Sequence, residues 1–376
     1  MRAVVIGAGI GGLCAAIGLR RRGWEVTVLE RRAAPGAEGS GVTLMANGLR
    51  GLDALGVGAA VRGEGRAGTP GGARTSDGRW LSRIEGESMS SQLGTTAVGI
   101  HRATLHRILL NALPPETVIH DAQVTDVDPG PPPTVVVRGH DVRHPDLVVA
   151  ADGIGSRTRS RLWPGHPDPV PSGSMAWLGV TTGPWPHTAV TTVTWGRGEE
   201  FGMVPLGDGR VYWWASANAP SADGDLHRRF GAWHDPIPAL LDATDPASII
   251  RVDLRHLGTP LPSYRKGSVV VLGDAAHAMT PNLGQGANQA IEDAVVLAAM
   301  CDPLADLSEA LDAYDRTRRP RSQNIARAAL RMSRFGQQLT NPLAVATRNA
   351  VMRWTPPRTA LRTMSHYADW QPPDPR

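Results

Sequence analysis

Apolar residues follow two periods along this chain. Arg2–Ile6 (RAVVI), Glu25–Leu29 (EVTVL), Leu147–Ala150 (LVVA) and Val269–Leu272 (VVVL) are short apolar runs, each followed within two residues by Gly, Glu or Asp. Such runs predict strands buried on both faces of a parallel sheet. Leu13–Arg22, the segment after Arg102 with Leu105, Ile108 and Leu109, and the run behind Gly286 carry apolar residues at helical spacing. From Ser174 to Asn218 the pattern changes. Pieces rich in Val, Thr and Trp, such as TAVTTVTWG, EEFGMVPL and RVYWWASA, alternate with Gly and Pro and predict a mainly antiparallel sheet. DPGPPPT at 128–134 reads as a hairpin turn or loop, and no internal repeat is present. From Leu304 a helical pattern with an Arg-rich face is expected to break at Pro320 and to pack as a solvated helix; the last residues read as turns with a frayed end.

Composition narrows the class. At 376 residues with 41% hydrophobic content, the chain fills two domains or one large domain with an insertion. The net charge of +4 rests on arginine, since Lys266 is the sole lysine, and no basic cluster interleaved with aromatics marks a nucleic-acid surface. Cys14 and Cys301 both fall in apolar helical patterns, so neither a disulfide framework nor a metal site is expected, and a reduced, cytoplasmic setting fits. The glycines at 7, 9, 11 and 12 break the N-terminal apolar run as a signal helix, and no run spans a membrane.

Those glycines have another use. Gly7, Gly9 and Gly12 form G-x-G-x-x-G between the first strand and its helix, and Glu30 closes the second strand. Strand, turn, helix, strand and acid in register form a dinucleotide fingerprint, and an acid there accepts from ribose hydroxyls and repels a 2′-phosphate. FAD or NAD therefore suits this site better than NADP.

Three further segments choose between them. DLVVAADGIGSRTRSRLW sets Asp152-Gly153, Ser156 and Arg159 behind a strand; GIHRATLHRILLNAL sets Arg102 before a helix; VVVLGDAAHAMTPNLGQGANQAIEDAVVLA sets Gly273-Asp274 and the Gly284-Gln285-Gly286 turn before another. A helix opening behind two glycines turns unpaired N–H groups and its positive dipole end toward something electron-rich. In this order and spacing the motifs resemble the single-component FAD-dependent aromatic hydroxylases of the 4-hydroxybenzoate hydroxylase type over nearly the whole chain, with urate hydroxylase-like and 3-hydroxybenzoate 6-hydroxylase-like members closest in length.

The resemblance implies an α/β fold: a Rossmann-type FAD-binding domain made of residues 1–70, 98–165 and 258–330, an inserted mainly antiparallel β-sheet substrate domain of 71–97 and 166–257, and C-terminal helices over 331–376. It implies FAD on Gly7, Gly9, Gly11, Gly12, Glu30 and Arg31, with Thr43, Arg102 and the Val124 backbone as further contacts. Asp274 bonds the ribityl chain, and the backbone of Gly284, Gln285, Gly286, Ala287 and Asn288 meets the flavin N1 and O2 edge. Asp152, Gly153 and Arg159 line the path of NADPH or NADH. His277 is expected to be a packing residue.

The implied function is hydroxylation of an aromatic or polycyclic small molecule by O2 through a flavin C4a-hydroperoxide, in a monomer or homodimer. Epoxidation or oxidation of a terpenoid-like metabolite, and flavin binding without oxygenase activity, stay open. The absence of a second G-x-G-x-x-G and of a Cys-x-x-x-x-Cys pair argues against a disulfide reductase. Pro281 and Tyr212 are the catalytic candidates; Trp195, Phe201, Met203 and Trp214 are the pocket candidates, although strand alternation turns about half of such a set away. Urate hydroxylases carry an arginine shortly before the Met203–Pro205 equivalent and an aspartate after the helix-opening proline; here Glu199, Glu200 and Asn282 stand there, which points to a neutral or cationic substrate.

Overall fold

The computed structural model describes residues 1–34, 40–68, 71–84, 93–186, 190–219, 225–356, 359 and 365–374. Parts of the 71–97, 166–257 and 331–376 stretches thus lie outside the described residues.

Strand Arg2–Ile6 sits inside a six-stranded sheet, paired in parallel with Glu25–Leu29 on one side and Leu147–Ala150 on the other. Val269–Val271 joins in parallel beyond Leu147–Ala150, and Val118–Ile119 beyond Glu25–Leu29. In this register Ile6 stands opposite both Leu29 and Ala150. The residues that follow, Gly7, Glu30, Ala151 and Asp152, are therefore gathered at one edge, the carboxyl ends of parallel strands where open α/β sheets bind ligands. Leu272 and Gly273 extend the same edge.

Helix Ile10–Arg21 lies against helix Gly286–Met300. Glycines let the two axes come close: a Cβ on Gly11 would stand 3.1 Å from Ala290 Cβ, and one on Gly18 would stand 2.7 Å from Ala298 Cβ. Gly12 is tighter still, since its Cβ would lie 1.9 Å from the Gly7 carbonyl oxygen. The fingerprint thus divides: Gly11 and Gly12 serve packing, whereas Gly7 (φ 100°) turns the chain under Ala151. Gly11, expected among the cofactor contacts, is turned toward the neighbouring helix.

The second large sheet has seven strands in the order Ile250–His256, Val170–Val180, Val211–Asn218, Glu199–Pro205, Thr192–Trp195, Gly71–Thr75 and Trp80–Ile84. Its pairings are antiparallel except between Thr192–Trp195 and Gly71–Thr75. Side chains alternate across it. Met175, Trp177, Phe201, Met203 and Trp213 form one core with Phe230, Ile237 and Leu240 from the helices Leu226–Phe230 and Ile237–Asp242. Phe201 stacks on Trp213 with centroids 5.4 Å apart. Burying each such side chain contributes about 1.5–3 kcal/mol. Glu200, Val204, Tyr212 and Trp214 belong to the opposite face, which looks toward the parallel sheet's domain. The contact there is close: a Cβ on Gly41 would stand 2.6 Å from the Tyr212 ring, and one on Gly99 2.4 Å from the Pro205 carbonyl oxygen.

The hairpin expected around DPGPPPT forms, with Val124–Asp128 paired to Thr134–Val137. The break expected at Pro320 does not: one helix runs from Leu307 to Phe335 with the proline inside it. Arg318 and Arg321, on either side of the proline, both reach Glu292 on helix Gly286–Met300, so tertiary bonds hold the segment where proline weakens the ladder. The Arg-rich face is accordingly not all solvated, because Arg318 exposes no side-chain surface.

Candidate active site

A cavity of about 420 Å³ opens at the gathered strand ends. Gly7, Gly9, Glu30, Arg31, Arg102, Val124, Asp152 and Gly153 all line it. Open space lies beside the backbone at its floor: a Cβ on Gly9, Gly153 or Gly155 would meet nothing within 4 Å among the described residues. Glu30 is fixed from two sides, Oε2 accepting the Ala8 N–H and Oε1 the Arg32 N–H, each at 2.9 Å. Asp152 Oδ2 accepts from the Thr158 N–H and hydroxyl at 3.2 Å, while its Oδ1 is buried with no partner among the described residues. An elongated channel with a helix N-terminus, a held carboxylate and a spare buried acceptor fits the adenosine and diphosphate part of FAD.

Farther along, helix Gly286–Met300 begins with no side-chain cap and no acid in its first turn, so its first N–H groups are left for another acceptor. A Cβ on Gly286 would meet nothing within 4 Å among the described residues. The side chains of the turn point inward instead. Asn288 Oδ1 accepts the Met45 N–H at 2.9 Å, and its Nδ2 donates to the Thr43 and Gly284 carbonyls at 3.1 and 2.8 Å. Gln285 Oε1 accepts from Asn47 and Gln289 at 2.9 and 3.0 Å. Thr43, Gln285 and Asn288 therefore shape the turn, and Ala287 is a half-buried packing residue beside them. What the turn offers outward is backbone, which fits the electron-rich edge of an isoalloxazine. Asp274 opens the short helix Asp274–His277 and is exposed, free to meet a polyol chain.

Behind the turn lies a buried polar network. Asp293 Oδ2 accepts from the Gly273 N–H at 2.9 Å and from His277 Nε2 at 2.6 Å, and its Oδ1 accepts from Arg318 Nε at 2.7 Å. Burial raises the Asp293 carboxyl, but the charges of His277 and Arg318 and its hydrogen bonds outweigh that and bring it down to about 2. His277 is fully buried in this network, with its Nδ1 unpartnered among the described residues.

Arg159 departs from expectation. It is 2% exposed, and its guanidinium donates to the Ala275 and Ile154 carbonyls, bracing the short helix Asp274–His277 against the turn at Ile154 rather than facing a passing nicotinamide nucleotide. Phe201 and Met203 depart as well, since both lie on the helix-covered face of the seven-stranded sheet and line its core. Tyr212 packs on Gly41 and near Trp214, with centroids 5.9 Å apart, and burial pushes its phenol well up, which removes it as a base near neutral pH. Pro281 is exposed at the start of the turn Pro281–Leu283.

Trp195 and Trp214 share a hydrogen-bond partner, which was not among the pocket candidates. Glu200 is buried, its Oε2 accepting the Trp195 Nε1–H at 2.7 Å and its Oε1 the Trp214 Nε1–H at 2.8 Å. Burial pushes this carboxyl up; the two indoles, the Arg348 charge and the Asn282 side chain offset only part of the effect. Asn282 belongs to the turn before helix Gly286–Met300, so Glu200 joins the seven-stranded sheet, the roof over this region, to that turn. Sequence singles out Glu200 with Glu199 as acids bearing on substrate charge, but not its clamp, because the cross-strand pairing of Trp195 with Glu200 is not written in either segment alone.

The chain matches the FAD binding domain family over residues 1–329 and belongs to it. It is 35% identical to the aurachin C monooxygenase/isomerase of Stigmatella aurantiaca, over 93% of each chain. It is 30% identical to an FAD-dependent urate hydroxylase of Mycolicibacterium vanbaalenii, over 86% of each. Among solved structures, Klebsiella pneumoniae HpxO complexed with FAD and uric acid superposes with a TM-score of 0.91 at 25% identity, covering 98% of this chain and 96% of that one. The expected fold class and family are those observed: a Rossmann-type FAD domain with a substrate domain, in an FAD-dependent monooxygenase. Among the described residues no helix is long and apolar enough to cross a membrane, and no cluster of His, Cys, Asp and Glu could hold a metal.

Proposed function

We propose that this enzyme inserts one atom of O2 into an aromatic or polycyclic small molecule, with NADPH or NADH supplying two electrons and the second oxygen atom leaving as water. The observation that carries this reading is the pairing of two sites: a diphosphate-fitting channel at the strand ends, and an uncapped helix start facing a roof that bears two half-buried indoles. Bound FAD supplies the redox chemistry that activates O2. The chain's residues do the rest. Gly9, Glu30, Arg31, Arg102 and Val124 hold the adenosine diphosphate half, Asp274 the ribityl chain, and the N–H groups from Gly284 to Asn288 favour negative charge on the flavin edge. Asp152 and Gly153 face the nicotinamide donor. Trp195, Trp214 and Pro281 position the aromatic substrate and keep water out. Residues 1–70, 98–165 and 258–330 serve as the FAD domain, 71–97 and 166–257 as the substrate domain, and 331–376 as the C-terminal segment.

The test is NAD(P)H oxidation by the FAD-loaded protein under labelled O2, with and without candidate aromatics. Substrate-dependent oxidation and a product carrying one labelled oxygen are expected. Slow oxidation that ignores every added compound and yields no oxygenated product would overturn the reading.

A further inference from the structure

Glu200 stands where a carboxylate is costly, buried under the roof beside Asn282. Its neighbours fix it in place. A Cβ on Gly202 would stand 2.0 Å from Trp214 Cζ2, so that glycine makes room for the indole to lie flat across the strand. The Arg348 guanidinium lies 5.2 Å over the Trp195 ring, and its N–H groups are taken by the Gly336 carbonyl and Asn349 Oδ1. Both indole N–H donors are spent on Glu200.

What remains unspent is acceptor capacity. Each carboxylate oxygen accepts one indole bond, and the Asn282 side chain also bonds the carboxylate, so Glu200 keeps only part of its acceptor capacity for another donor. Asn282 Oδ1, on the turn opposite, is buried with no partner among the described residues. A ligand that reaches this face of the sheet therefore meets acceptors in need of donors, and a ligand anion would meet the Glu200 charge, which Arg348 offsets only in part.

We propose that Glu200 is the substrate anchor, selecting aromatic molecules that present an N–H or O–H donor or a protonated nitrogen to the roof, with Asn282 as a second acceptor. The proposal rests on the oxygenase reading above and narrows it to a substrate class. Binding is by hydrogen bonds alone, with no covalent step.

The test uses the FAD-loaded protein and follows flavin absorbance while three bicyclic probes are titrated: 2-quinolone, which carries a ring N–H; 1-methyl-2-quinolone, which lacks it; and 2-naphthoate, an anion. Wild type is expected to bind 2-quinolone roughly ten- to a hundredfold more tightly than its methylated form, with 2-naphthoate weakest. Glu200→Gln should shrink that ratio to within a few fold at unchanged FAD content. Trp214→Phe, which removes one clamp and no charge, should shrink it less. Equal affinities in wild type, a preference for 2-naphthoate, no response to any probe up to about 1 mM, or an unchanged ratio in Glu200→Gln would overturn the anchor. FAD content and O2 uptake are read in the same samples. A protein that holds FAD without discriminating overturns the anchor alone, and one without FAD overturns the oxygenase reading beneath it.

Discussion

Asp293 Oδ1 accepts the Nε–H of Arg318 at 2.7 Å, and neither side chain exposes any surface. The bond ties the long helix Leu307–Phe335 to the helix whose start faces the roof, and the other Asp293 oxygen fixes the Gly273 N–H just before Asp274. Removing one partner of a buried pair leaves an uncompensated charge, so Arg318→Met should cost about 3–5 kcal/mol. Denaturant melts check this, and a loss under about 1 kcal/mol would show the pair to be idle.

The same carboxylate sets an acid limit. Its folded value of about 2 lies below the ordinary 3.8, so the stability it contributes is fully present above the ordinary value and is lost as pH falls through the folded one. That difference corresponds to roughly 2 kcal/mol, lost between about pH 4 and pH 2. Asp293→Asn should be less stable at neutral pH and should lose less on acidification. Equally steep acid melts in both proteins would count against the assignment.

Glu200 works in the opposite sense. Its carboxyl is raised, so its stabilising share is present below the ordinary carboxylate range and is lost as pH rises through the raised value. Glu200→Gln should therefore compare more favourably with wild type at about pH 8 than at about pH 5. Thermal melts at the two pH values decide, and a gap that stays constant or widens toward high pH contradicts the raised carboxyl.

The glycines should separate folding from cofactor binding. Gly12→Ala drives a Cβ to 1.9 Å from the Gly7 carbonyl oxygen and should cost about 3 kcal/mol or more. Gly9→Ala and Gly286→Ala meet open space and should melt like wild type without cofactor, yet bind FAD more weakly. If Gly286→Ala retains wild-type FAD affinity after dialysis, the turn does not approach the flavin.

Asp274→Ala tests the ribityl contact. Loss of a charge-assisted bond should weaken FAD about ten- to a hundredfold, with little change in the melting of the cofactor-free protein because the side chain is exposed. Full occupancy, judged by the ratio of flavin to protein absorbance, would mean the aspartate merely opens its short helix.

Local pattern alone determined the apolar strand segments, the glycine turn, Glu30 at the end of its strand and the Asp152 and Asp274 segments, because each is written in a short run of consecutive residues. It left open which face of the roof each aromatic would take. Phe201 and Glu200 are adjacent in the chain, yet one is drawn under the helices and the other over the turn, since alternation gives opposite faces without naming the inner one. Gly9 and Gly11 share one fingerprint, but only the packing of helix on helix sends one to the channel and the other to Ala290. Pro320 reads as a break, but Glu292, far off in the chain, bonds the arginines on both sides of it, and Asp293 and Gln289 add bonds to Arg318, so the helix stays whole. Long-range pairing decided these points, because a charge or an indole finds its partner only when strands and helices have been brought together in three dimensions.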